Sequence, residues 1–228
     1  MAKITGREAA GQLPPKVVKL YGAVMELIEE GVDISSMKVS QITERAGIGK
    51  GTAYDYFDTR EEIIVYALMF FMEEAARKLE QEIWEKENFS QRIELFMDSI
   101  DRQAEKGACL LCLVNLVFEA SDLGQLFRKL LNEHREQRKE EACLLSSIEK
   151  EIVEKGIADG EIRKDLPTAY MAYILMAKIV AYALYTVHHQ EADKKSARGE
   201  AIFLKTEIPR EEFRRYILGG ILEEFQAE

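Results

Sequence analysis

The chain has no P-loop, no dinucleotide-binding glycine fingerprint and no nucleophile elbow. Phosphate cradling by a glycine loop and serine-type acyl transfer therefore have no local motif to rest on. Histidine is scarce, with three in the chain, and poorly placed for metal or proton chemistry. His188 and His189 are neighbours that would point to different helix faces, a poor metal pair, and His134 stands alone among charged residues. Carboxylates are scattered over helical patterns without forming an acid/base pair. No catalytic residue, metal or cofactor is assigned, and the chain is not read as an enzyme. Cysteine is also rare. Three thiols, an odd number, behind an N-terminus (MAKITGREAAGQL) without the apolar stretch of an export signal point to reduced cysteines in the cytoplasm.

Proline is limited to four residues, and Pro14, Pro15, Pro167 and Pro209 each stand ahead of a long helical pattern. No segment alternates apolar and polar positions with β-branched residues. The expected fold class is all-α. What is present is ample apolar material, 47% of residues against 32% charged, the balance of a soluble globular protein. A net charge of -10 speaks at first against a nucleic-acid partner. The charge is unevenly spread, however. Residues 1–60 carry eight basic and eight acidic side chains, so the remaining 168 hold the whole excess, 23 basic against 33 acidic.

Helical spacing organises the rest. Val17, Leu20, Tyr21, Val24, Leu27 and Ile28 predict a helix from Pro14-Pro15 to near Gly31. A long helix is expected over Thr59–Glu87, with Ile63, Ala67, Phe70 and Phe71 inward. After a break at Asn88-Phe89-Ser90, Ile93, Phe96, Met97 and Ile100 mark another, up to Gly107. Ala108–Phe118 is the most apolar run. Its eleven residues are too few for a bilayer and read as a helix buried on all sides. One long helix is expected over Leu126–Gly156. Leu166–Gln190 carries a single charge, Lys178, in 25 residues. That central lysine and a content of Ala, Tyr and Thr speak against a membrane span and for burial against a partner subunit. The last helix, Pro209–Phe225, contains Gly219-Gly220, which close helix contact would explain. Glu191–Ile208 should hold a short helix or a dimer-contacting flap, because a loop of that length is unusual.

The stretch Val39–Arg60, VSQITERAGIGKGTAYDYFDTR, is where the chain's chemistry gathers. A short segment (Val39, Ile42, Ala46), a glycine turn (Gly47, Gly49) and a second short segment (Ala53, Tyr54, Phe57) form a helix-turn-helix, whose second helix can enter a major groove. Lys50, Gly51 and Thr52 would make the first turn of that helix. There N–H groups, an ammonium and a hydroxyl suit an anion, and Tyr54 and Tyr56 add phenol donors. Thr59 and Glu62 have the spacing of a capping box that starts a third helix with Arg60 in its first turn. Residues 1–13 read as an arm carrying Lys3 and Arg7, either touching DNA or simply disordered.

GIGKGTAYDYFDTREEII resembles the recognition helix and following linker of the TetR/AcrR family of bacterial transcription regulators. It matches the family pattern at Ala46, Gly47, Thr52, Tyr54, Tyr56 and Phe57. It departs at Ala53, where the family mostly has Leu, at Arg60, where it mostly has Lys, and at Asp55, an acid that either reads a cytosine amine or points along the groove. Gly107-Ala108-Cys109-Leu110-Leu111 and Asn115 also resemble a Gly-Cys-Leu-x-x-Asn segment that borders the effector cavity in many members.

The resemblance implies a three-helix DNA-binding domain over 1–60 and a helical effector-binding and dimerisation domain over 61–228. Such a protein is a homodimer, usually a repressor, that binds an inverted-repeat duplex operator in the cytoplasm, without membrane attachment, until a small, mainly apolar effector releases it. The DNA-binding set is Ser40, Lys50, Gly51, Thr52, Tyr54, Asp55, Tyr56 and Arg60. The ligand set is Phe96, Ile100, Cys109, Cys112, Asn115, Leu116, Tyr173, Met176 and Lys178, the last being either an anchor for an acidic effector or half of a salt bridge at the dimer interface. The dimer set is Ile174, Ala181, Phe213, Ile217, Gly220 and Ile221. Two other readings stay open: a thiol-based redox-responsive regulator using Cys109 and Cys112, and a DNA-binding protein without an effector.

Overall fold

Pro15, with its fixed φ and no N–H to leave unpaired, opens helix α1 (Pro15–Glu29), and the stripe Val17, Leu20, Tyr21, Val24, Leu27 and Ile28 is buried as its spacing requires. The computed structural model describes residues 3–4, 13–105, 116, 120–137, 144–193 and 208–227. These hold eight further helices: α2 (Val39–Ala46), α3 (Lys50–Tyr56), α4 (Arg60–Ile83), α5 (Phe89–Glu105), α6 (Asp122–Gln137), α7 (Leu144–Ala158), α8 (Thr168–Asp193) and α9 (Arg210–Phe225). The one extended pairing among them is an isolated bridge between Ile162 and Gln226, so the fold is all-α as expected.

The chain forms two compact units, one of residues 1–75 with 106–143, the other of 76–105 with 144–228. In the first, the α1 stripe packs with Met37, Ile42, Ala53, Phe57, the run Ile63–Met69 of α4, and Leu116, Leu123, Phe127 and Leu130. Tyr21 lies at its centre, its ring centroid 6.0 Å from Phe57 and 5.5 Å from Phe70. Side chains of this size each stabilise the fold by roughly 1.5–3 kcal/mol on burial, so the short α2 and α3 are held by packing rather than by propensity.

In the second unit α8 packs against α5, α7 and α9. Asp101 of α5 ties three elements together. Its carboxylate accepts from the Tyr182 hydroxyl at 2.6 Å and pairs with Arg210 at 2.7 Å and Arg214 at 2.6 Å. Burial and then the Asp101 carboxylate push the Tyr182 phenol up. The α7–α8 connection folds close onto α5. A Cβ on Gly156 would lie 3.1 Å from Ile162 and 3.2 Å from Phe89, so only glycine fits without a shift. Phe89 in turn stacks on Phe225 at 5.7 Å.

Two expectations are modified and one falls partly outside the described residues. The long helix ends at Ile83 rather than Glu87, 24 residues or roughly 36 Å. The region expected as one helix over Leu126–Gly156 contains α6 and α7 on either side of 138–143, which lie outside the described residues. Among the described residues nothing requires the glycines of α9, because a Cβ on Gly219 meets no atom within 4 Å and one on Gly220 only the Lys178 Nζ at 3.6 Å. Most of Ala108–Phe118 and residues 194–207 also lie outside the description, though Leu116 is helical and fully buried.

Candidate nucleic-acid interface

Gly47 makes the turn between α2 and α3. Its φ of 64° is left-handed, which lets the Ile48 N–H reach back to the Thr43 carbonyl at 2.9 Å and close α2. Gly49 then takes extended geometry ahead of α3. Gly51 differs, since it is helical and a Cβ there would meet nothing within 4 Å. Gly47→Ala should lower the unfolding free energy by roughly 1–2 kcal/mol through left-handed strain. Gly51→Ala should be neutral or stabilising. Urea denaturation of the two variants checks the contrast.

Ala53, Tyr56 and Phe57, at steps of three and four, are the buried stripe of α3, at 0%, 4% and 0% exposure. That orientation exposes Lys50, Gly51, Tyr54 and Asp55, with Ser40 of α2 also exposed and Thr52 half-buried. Tyr56 is thus a correction. Expected as a surface phenol donor, it is a core residue, because the stripe that starts at Ala53 passes through 56 and leaves 54 outside.

Arg60 is a second correction. Its guanidinium donates to the Ser35 carbonyl at 2.8 Å and the Met37 carbonyl at 3.1 Å and pairs with Glu61 at 2.7 Å. It pins the first turn of α4 to the α1–α2 loop instead of standing free for phosphate. The Thr59–Glu62 capping box is present, with the Glu62 N–H donating to the Thr59 hydroxyl at 3.1 Å and the Thr59 N–H to the Glu62 carboxylate at 3.4 Å.

Two fixtures went unseen in the sequence. Arg45 of α2 forks onto Glu30 at 2.7 and 2.6 Å and reaches Glu26 at 3.3 Å, setting α2 against α1. The hydrogen bond from Arg45 holds the Glu30 carboxyl below its usual range. The pair is solvent-exposed, so it fixes register more than it stabilises. Lys3, read as part of an arm, donates to the Tyr54 carbonyl at 2.6 Å and the Phe57 carbonyl at 3.0 Å and pairs with Asp58 at 2.9 Å.

The description "Bacterial regulatory proteins, tetR family" fits residues 20–67, the span from mid-α1 into α4. A curated relative, the fatty acid metabolism regulator protein of Bacillus subtilis (strain 168), is 30% identical over 84 residues, 37% of this chain and 43% of that protein. The match thus spans less than half the length of that relative. Residues 20–67 thus match the N-terminal region of the TetR family.

Solved structures carry the likeness beyond the N-terminal segment. FadR from Bacillus subtilis in complex with stearoyl-CoA superposes with a TM-score of 0.60 at 20% identity, covering 90% of this chain and 95% of that one. A TetR-family regulator from Cytophaga hutchinsonii gives 0.65 at 16%, covering 95% and 98%. At those identities the fold is what is shared.

The residues expected to line an effector site fall in different places. Cys109, Cys112 and Asn115 lie outside the described residues, and with them the thiol reading. Leu116 belongs to the first unit's core. Phe96 and Ile100 are buried and Met176 is half-buried in the second unit. Tyr173 is 73% exposed. Lys178 pairs with Glu224 of the same chain at 2.6 Å and donates to the Gly220 carbonyl at 2.6 Å, bracing α8 on α9. Both earlier readings of Lys178, an effector anchor and an intersubunit salt bridge, give way to this internal pair.

Of the residues expected at a dimer contact, Ala181 is exposed, Ile174, Phe213, Ile217 and Gly220 are half-buried, and Ile221 is buried inside the chain. Ile221 therefore packs internally. α8 is the one helix among the described residues long and apolar enough to cross a membrane, yet only 33% of its stretch Thr168–Thr186 is buried. Tyr170 at 47%, Tyr173 at 73% and Tyr216 of α9 at 54% are the most exposed large apolar side chains described.

Proposed function

We propose that this chain is a cytoplasmic transcription regulator of the repressor type. It binds an inverted-repeat operator as a homodimer through residues 1–60 and is released by a mainly apolar effector held within 61–228. The observation that carries the reading is α3, which turns Ala53, Tyr56 and Phe57 into the core and leaves Lys50, Gly51, Tyr54 and Asp55 in solvent. An exposed glycine with free space around it costs a short helix stability for no internal reason. A duplex backbone passing close to Gly51 supplies the reason.

Homodimerisation is supported by the apolar, largely uncovered α8 and the exposed tyrosines beside it. Two copies of α3 must then stand about 34 to 36 Å apart, or a multiple, to meet successive major grooves. An effector that binds better to a different spacing removes the protein from DNA by population shift. The B. subtilis regulator in complex with stearoyl-CoA supports a long-chain acyl thioester as the effector class. Phe96, Ile100 and Met176 are the described residues best placed to meet its chain.

Selection of bound fragments from random DNA tests the core of this, and a palindromic consensus is the expected result. On that duplex Lys50→Ala should bind about tenfold more weakly and lower the slope of log affinity against log salt by about 0.9, one phosphate contact. Stearoyl-CoA should release the wild-type complex where CoA alone does not. Recovery of no consensus, or an unaltered Lys50→Ala variant, would remove the proposed face, and sedimentation as a single subunit would remove the homodimer.

A further inference from the structure

We propose that Lys3 and Ile4 form the C-terminal cap of α3, and that Lys3 is a positioning residue for recognition. The second half of this rests on the reading that α3 meets DNA. Seven residues make a helix too short to hold itself, and its last carbonyls have no partner further along the helix. The usual remedy, a left-handed glycine beyond the last turn, is missing. Phe57 follows at φ -125°, ψ 150°, in extended geometry, and its N–H satisfies only the Ala53 carbonyl.

Two of the other last-turn carbonyls, those of Tyr54 and Tyr56, and that of the capping Phe57 are met from about 50 residues away in sequence. The Lys3 ammonium takes those of Tyr54 and Phe57, at 2.6 and 3.0 Å, and the Ile4 N–H takes that of Tyr56 at 2.9 Å. The Ile4 side chain, 8% exposed, is part of the first unit's core and anchors the segment. Asp58, 2.9 Å from the ammonium, completes a cage of three oxygens around one charge. A cation at a helix C-terminus is also favoured by the dipole. The ammonium is thereby occupied, so Lys3 acts on DNA through α3 and does not contact phosphate itself.

The test uses the full chain, the duplex recovered from random DNA, and the variants Lys3→Met and Lys3→Arg. Binding is titrated over a range of salt, and amide hydrogen exchange is followed across residues 50–57. Lys3→Met should bind about tenfold more weakly with the salt slope unchanged, while the amides of Ala53 to Phe57 exchange faster. Lys3→Arg, whose guanidinium can also span two carbonyls, should recover most of both. Unchanged affinity and exchange would overturn the cap. Weaker binding with a slope reduced by about 0.9 and unaltered exchange would overturn the positioning role, placing the ammonium on a phosphate instead. If the wild type selects no duplex, the DNA reading fails on its own, and hydrogen exchange in Lys3→Met still decides the cap.

Discussion

Replacing Glu149 by glutamine is expected to leave stability almost unchanged at pH 4.5 and to raise it by about 4 kcal/mol at pH 8.5. Glu149 sits on α7 at 1% exposure, and among the described residues neither carboxylate oxygen has a hydrogen-bond partner. Burial pushes its carboxyl up to about 8 from an ordinary 4.5. Between those values the unfolded chain releases the proton and the folded chain keeps it. The folded state then binds more protons, so stability falls as pH rises from 4.5 to 8 and is level on either side. Glutamine has the shape of the neutral acid and nothing to ionise, so it removes this slope. Thermal melts of the two proteins from pH 4.5 to 8.5 should diverge, by about 10 °C at the upper end for a chain of this size. Parallel curves would mean that the carboxyl is hydrated or ionised in the folded protein.

Arg92→Leu should have a comparable effect of the opposite sign, a loss of about 3 kcal/mol and a melting temperature lower by roughly 6 to 12 °C. Arg92 is 2% exposed. One arm of its guanidinium donates to the Lys86 and Glu87 carbonyls at 3.2 and 3.1 Å, just past the end of α4. The group lies 5.9 Å from the centre of the Trp84 ring, and the carboxylates of Asp159 and Glu161 stand 3.9 and 3.8 Å away. Leucine would fill the space but leave the two carbonyls without their donor and Glu161 without the guanidinium beside it, while Asp159 keeps the Lys155 ammonium at 2.8 Å. Arg92→Lys should recover only part of the loss, since an ammonium cannot present a planar fork. Calorimetry decides it, and a leucine variant within 1 °C of the wild type would show that the guanidinium contributes nothing net.

The features legible in the sequence are those set by neighbours a few residues apart. The α1 stripe, the Gly47 turn and the Thr59–Glu62 capping box each follow from one local spacing, and each is present. The choice between Tyr54 and Tyr56 was legible too, had the count from Ala53 been carried to i+3 and i+4. Tyr56 with Phe57 then takes the buried side. Arg60 was misplaced for another reason. A first-turn arginine reads as solvent-facing, and only the folded α1–α2 loop brings the Ser35 and Met37 carbonyls within its reach. Lys178 with Glu224 and Lys3 with Tyr54 are separated by dozens of residues, and no periodicity announces such partners. Glu149 was the least visible, because an acid in a helical pattern reads as surface unless the whole surrounding core is known.

If two copies pair through the uncovered tyrosines of α8 and α9, as proposed, abundance becomes part of the mechanism. When copies are scarce and pairing is incomplete, occupancy of a two-fold site climbs with the square of the amount of chain rather than in proportion to it. A gene under such control would stay open at low copy number and shut over a narrow interval of expression. The steepness would come from the wet faces of two helices, with no contribution from the groove-reading residues.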